Sequence, residues 1–164
     1  MELQPHQKKI IELFLEQELL MAELYELFSK MYPFHHEFWA SMVAEEREHA
    51  SWVRHFLDST LNGKINFYEG KTRSNAISSC ISYIREIIAG FEKKPFNVVR
   101  AASISLDMER SLIERNVFKH FEGDSQEALQ LLDILSQAQD AHVKKPSSLL
   151  PVFSKKMIVL EISS

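Results

Sequence analysis

Apolar residues recur at spacings of three and four along most of the chain, the rhythm of helices that bury one face. In the first such stretch the seam reads Ile11, Phe14, Glu18, Met21, Tyr25 and Phe28; in the second it reads Trp39, Met42, Glu46, His49, Val53 and Phe56. A third runs Val99, Ala102, Leu106, Glu109, Ile113 and Val117, and a fourth Ala128, Leu132, Leu135, Gln139 and His142. Four helices are predicted. Pro5 suits the first turn of the first helix, which should run to about Met31. Tyr32-Pro33 stops it, because the residue before a proline avoids helical geometry. The second should reach about Leu61 and end at Asn62-Gly63. The third begins near Pro95-Phe96-Asn97 and ends before Gly123. Asp124-Ser125-Gln126-Glu127 reads as a capping box opening the fourth, which Pro146 closes.

Between the second and third helices lie the 34 residues Asn62 to Pro95. They hold a turn-rich stretch (Gly63, Gly70, Ser74, Asn75) and then an amphipathic run, Ala76 to Glu92, predicted as a short extra helix. A crossover of this length lets the second and third helices lie parallel in a four-helix bundle. The expected fold class is therefore all-α, with a bundle over residues 1–146. A tail, 147–164, carries Leu149-Leu150-Pro151-Val152-Phe153 and Met157-Ile158-Val159-Leu160, which fit no bundle position.

Each seam is broken by a polar residue where the driest position should be. Glu46 and His49 form a Glu-x-x-His unit, on one helix face and one turn apart. Burying an ionised carboxylate costs many kcal/mol unless it is paired or bound to a metal. Glu18, Glu109 and the Gln139-x-x-His142 unit occupy equivalent places on the other three helices. The four also pair as a repeat. Glu16-x-Glu18 with Glu23 matches Asp107-x-Glu109 with Glu114, and the spacing from Glu18 to His49 is 31 residues against 33 from Glu109 to His142. The chemistry such a set serves is metal ligation: carboxylates are hard donors that suit divalent iron or manganese, and imidazole adds affinity without further charge.

Composition narrows the class. The 164 residues are 45% hydrophobic and 26% charged, with four Gly and five Pro, as expected of helices with few turns. The net charge of −4, with Lys and Arg scattered, gives no nucleic-acid footprint. No apolar run approaches the ~20 residues of a membrane span. The single cysteine, Cys80, excludes an internal disulfide, and Met1-Glu2-Leu3-Gln4-Pro5 shows no signal-peptide pattern; both point to a cytoplasmic protein. Cys80 itself reads as a small buried hydrophobe of the crossover helix. Glu45, Glu48, Glu16, Glu23, Asp107 and Glu114 read as solvated helix-surface charges. His35 and His36 lie in a turn, His55 and His120 fall off the ligand rhythm, and Tyr25 reads as core.

With Glu18 to Tyr25, Ala44-Glu45-Glu46-Arg47-Glu48-His49-Ala50, Glu109 and His142, the chain resembles the ferritin-like carboxylate-bridged di-iron proteins, rubrerythrins in particular. The resemblance covers roughly Pro5 to Lys145. It implies that Glu18 and His49 hold one iron, Glu109 and His142 the other, and that Glu46 bridges them. Iron is the metal it implies, with manganese or zinc as alternatives. Two metals ~3.5–4 Å apart would act on O₂ or hydrogen peroxide, in Fe(II) oxidation or peroxide reduction. The family commonly forms homodimers; nothing here supports a storage cage.

Three departures bear on that reading. Gln139 stands where rubrerythrins have a second bridging Glu, as it does in ferritins proper, and Asp140, about a hundred degrees around the helix, does not replace it. The chain has no Cys-x-x-Cys pair, so electrons would come from a separate donor protein. Leu112, one turn beyond Glu109, is apolar where rubrerythrins place an extra carboxylate. Three alternatives to a catalytic centre remain open: an iron-binding bundle without turnover, a helical interaction module that has lost its metal, and a buried polar network that keeps the bundle in register. If Gln139 is a ligand, Gln139→Glu should tighten the second metal by at least about tenfold, the scale on which even outer-shell changes act. Titration calorimetry would read this, and an unchanged affinity would mean the second metal is held elsewhere or not at all.

Overall fold

The computed structural model describes residues 3–68, 72–109 and 121–142, with side chains to residue 137, and its regular structure is almost entirely helical. Five helices are present among the described residues: α1 (Pro5–Met31), α2 (His36–Leu61), α3 (Ser74–Lys93), α4 (Val98–Glu109) and α5 (Gln126–His142). Local chemistry explains their ends. Pro5 opens α1, where the Gln7 side chain accepts a hydrogen bond from the Gln4 backbone N–H at 3.0 Å. Pro33 stops it, and a single 3₁₀ turn, Pro33–His35, leads into α2. At the other end of α2, Gly63 takes φ +66°. Its N–H bonds the Thr60 carbonyl at 3.1 Å while Lys64 N–H bonds that of Ser59 at 2.9 Å, a Schellman closure that satisfies two orphan carbonyls. Asn97 caps α4 through its Oδ1, which accepts from Arg100 N–H at 2.9 Å.

Two groups of buried side chains form the core, one toward each end of the α1–α2 hairpin. The first joins Ile11 and Phe14 of α1 to Val53 and Phe56 of α2; the second joins Met21, Leu24, Tyr25 and Phe28 to Trp39 and Met42. The two helices are therefore antiparallel. α3 runs alongside α1, giving Ile77 and Ile81 to the first group and Ile84, Ile88 and Phe91 to the second. Each such side chain contributes roughly 2 kcal/mol on burial. The crossover thus holds the extra helix expected over Ala76–Glu92, extended to the 20 residues Ser74–Lys93 and built into the core.

Among the described residues, α4 contributes to the second group, through Ala101, Ala102 and Met108, and α5 to the first, through Ala128, Leu131, Leu132 and Leu135. The Phe96 ring, just before α4, lies 6.0 Å from that of Phe28, and Tyr32 donates its hydroxyl to the Phe96 carbonyl. α4 therefore starts beside the start of α2, an arrangement the crossover length allows.

One feature has no counterpart in the expected architecture. Phe67–Tyr68 pairs antiparallel with Glu122–Gly123, in the register Phe67 to Gly123 and Tyr68 to Glu122. Asp124 clamps this ribbon by accepting from both the backbone N–H and the side-chain amide of Asn66. Those bonds hold its carboxyl below the usual range. Asp124 is thereby diverted from the helix start, and Ser125 caps α5 instead, its Oγ accepting from Ala128 N–H at 3.1 Å. Residues 110–120, which include Leu112 and the end of the expected third helix, lie outside the described residues, as does the 147–164 tail.

A Cβ at Gly63 would meet nothing within 4 Å, so only the backbone demands glycine there. Gly63→Ala should cost about 1 kcal/mol and lower the melting temperature by a few degrees, read by thermal denaturation. An unchanged melting point would show that the left-handed turn adds nothing to stability.

Candidate metal centre

Glu18 lies midway along α1 between Phe14 and Met21, and Glu46 and His49 lie on α2 between Met42 and Val53. They sit at the level where the two core groups part. All three are buried, at 6%, 3% and 8% exposure. His49 Nδ1 is 3.4 Å from Glu18 Oε2 and 3.6 Å from Glu46 Oε2. One donor atom from each residue lies within 4.8 Å of the other two, the one such group among the described residues. The Trp52 ring, one helical turn beyond His49, stands 5.4 Å from the imidazole, centroid to centroid.

The electrostatics of this group are strained. Burial pushes the Glu18 carboxyl up to about 7, and the Glu46 charge adds to the rise against the opposing hydrogen bond from His49. With both carboxylates ionised the cluster would be negative even beside a protonated imidazole, and the proton retained by Glu18 relieves this. The geometry suits a divalent ion. Donors bonded at ~2.1 Å to one ion, at tetrahedral or octahedral angles, lie roughly 3.0–3.4 Å apart; the two imidazole–carboxylate distances are near this, and all three donors lie within 4.8 Å of one another. The donor set of two carboxylates and one imidazole is that of iron, manganese or zinc.

Glu109, at the end of α4, is also buried, at 4% exposure. Its Oε1 accepts a hydrogen bond of 2.6 Å from the Tyr25 hydroxyl. Tyr25 lies two turns beyond Glu18 on the same face of α1, so Glu109 is drawn into the same interior. It is not part of the Glu18–Glu46–His49 group. α5 carries positions 139 and 142 in its last turns, but the Gln139 and His142 side chains lie outside the described residues. Of the six expected ligands, three converge and a fourth is held nearby by Tyr25.

Some surrounding residues differ from the expectation. Tyr25 is core, as expected, but is also the donor to Glu109; its spacing of seven from Glu18 marks only that the two share a face of α1. Trp52 stands three residues from His49 and could have been found the same way. Gln17, beside Glu18, is wholly buried although nothing in the seam pattern marks it. Glu48 is exposed as expected, Glu45 half-buried, and Cys80 only partly buried against the second core group. His36 is exposed, with its Nδ1 2.8 Å from Ser29 Oγ. No helix among the described residues is long and apolar enough to cross a membrane.

Comparison with protein-family models, with curated proteins and with solved structures finds no match to this chain.

The raised Glu18 carboxyl has a consequence for stability. Between pH 4.5 and about 7 the folded chain holds a proton that the unfolded chain releases, so stability falls as pH rises through that window. The change is on the order of 3 kcal/mol. In metal-free protein, Glu18→Gln should flatten the dependence and raise the urea midpoint at and above pH 7. Equal slopes for the two proteins would show that Glu18 ionises normally.

Proposed function

We propose that this chain is a metal-binding protein of the ferritin-like, rubrerythrin type. In this reading the helices form a four-helix bundle, with α3 as an addition to it. Glu18, Glu46, His49 and Glu109, completed by Gln139 and His142, hold iron for Fe(II) oxidation or peroxide reduction. The observation that carries the reading is the convergence of Glu18, Glu46 and His49 in a buried interior where their charges do not balance. A register-keeping polar network would gain nothing from a second carboxylate beside the first, whereas a divalent cation turns that repulsion into binding energy.

Two iron ions bound there would supply the electrons for reduction of O₂ or hydrogen peroxide. The chain's own residues would do the rest. Glu18 would give up its proton on binding a cation, and Glu46 would serve as the bridging carboxylate. Tyr25 orients Glu109 by donating to its Oε1. The two apolar core groups exclude water on either side. Reducing equivalents would come from a separate donor protein. A second reading, an iron-binding bundle without turnover, gains from two features of the second site: one Glu109 oxygen is engaged by Tyr25, and position 139 supplies a neutral amide in place of a carboxylate.

Anaerobic loading with Fe(II), removal of excess and mass spectrometry would give the stoichiometry. Two irons per chain are expected, followed by oxidation on addition of peroxide; one would leave only the Glu18–Glu46–His49 site, and none would sink the proposal. Glu46→Ala should lose both ions while remaining folded, with stability equal or higher because a buried charge is gone. Retention of metal by this variant would remove Glu46 from the bridge.

A further inference from the structure

A groove of about 700 Å³ runs between α3 and α4, at the end of the bundle away from the ribbon. Its volume is that of a small-molecule site. Tyr83 of α3 and Phe96, ahead of α4, give it aromatic surface, the buried Phe91 ring forms its floor edge-on against Phe96 at 4.8 Å, and Ile104 closes one side. Two cations, Lys94 and Arg100, also line it. The Arg100 guanidinium lies over the Phe96 ring, 5.1 Å from its centroid, and neither cation forms an ion pair among the described residues. A single acid, Glu86, faces them, so the groove is net positive.

Gly90 adds an independent observation. It lies inside α3, where glycine is less favourable than any residue but proline. A Cβ there would meet nothing within 4 Å, so no packing among the described residues requires its absence. Gly90 also lines the groove. A flat guest resting on the α3 backbone would account for the missing side chain.

We propose that this groove binds a planar aromatic anion. The rings rest over Gly90, with Tyr83 and Phe96 at their edges. The carboxylate, sulfonate or phosphate meets Lys94 and Arg100, whose fork of N–H donors matches such groups. This site is separate from the metal centre, and the proposal stands without it.

The test is a fluorescence titration of the full chain with 8-anilinonaphthalene-1-sulfonate, beside the uncharged N-phenyl-1-naphthylamine. Saturable binding of the sulfonate is expected, with amide shifts in a two-dimensional NMR spectrum at Gly90, Phe91 and Lys94. Arg100→Glu should weaken the sulfonate about tenfold and leave the uncharged probe nearly unchanged. Gly90→Leu should block both probes, whereas Gly90→Ala should retain them. Circular dichroism should show both variants folded, since each favours helix over glycine. Shifts centred elsewhere, or sulfonate binding indifferent to Arg100→Glu, would overturn the proposal. Should Gly90→Leu fail to fold, the Arg100→Glu comparison and the NMR map decide it alone.

Discussion

Two carboxylates and an imidazole at one level of a helical interior constrain everything around them. Apolar packing cannot continue through that level, so the core divides: Phe14 and Val53 face one side of it, Met21 and Met42 the other. α1 and α2 supply the three polar side chains and cross the divide together. α3 spans it as well, and its unbroken row of Ile77, Ile81, Ile84 and Ile88 ties the two halves along α1. α4 and α5 divide the remaining work, one covering each half. Without a cation the group relieves its repulsion by keeping a proton on Glu18 to near neutral pH. With one, the same repulsion favours binding.

Each half is built around aromatic rings. In the first, Phe67 meets Phe56 and Phe121 at 5.1 and 4.9 Å. In the second, the Trp39, Phe91 and Phe96 rings meet Phe28 at 5.0, 5.1 and 6.0 Å, largely edge to face. Such pairs add about 0.5–1.5 kcal/mol each beyond burial. That gain helps offset one defect, since the Trp39 Nε1–H is buried without an acceptor among the described residues. A dry donor costs about 1–3 kcal/mol. Because Phe28 also touches Tyr25 at 6.4 Å, the ring cluster packs directly behind the group that holds Glu109.

Much of this was legible in the sequence, and what was not shares one cause. The ends of α1 and α2 could be read because Pro5, Tyr32-Pro33 and Asn62-Gly63 act through their immediate neighbours. Glu18, Glu46, His49 and Glu109 could be read as buried because each interrupts an apolar seam. The errors arose where distant parts of the chain decide the outcome. Asp124 looked like a helix cap, but Asn66, 58 residues away, claims its carboxylate. Ser74 and Asn75 looked like turn residues, yet α3 begins at Ser74 because its isoleucine row has α1 to pack on. The ribbon is two residues on each side, too short to leave a pattern. That Tyr25 would donate to Glu109 depended on how α4 is set against α1, a matter of packing and not of spacing alone.

The ribbon also bears on the order in which the chain folds. The α1–α2 hairpin closes through near neighbours such as Tyr25 and Trp39, whose rings lie 5.8 Å apart across a short turn. Residues 67–68 and 122–123 must instead find each other across a long loop, whose closure entropy has to be met before any pairing rewards it. The ribbon and the α5 turns it anchors are therefore late structure. Contacts made last are commonly those that open first under native conditions. Amides of the ribbon and of the first turns of α5 should therefore exchange ahead of those of α1 and α2, which close on each other through near neighbours.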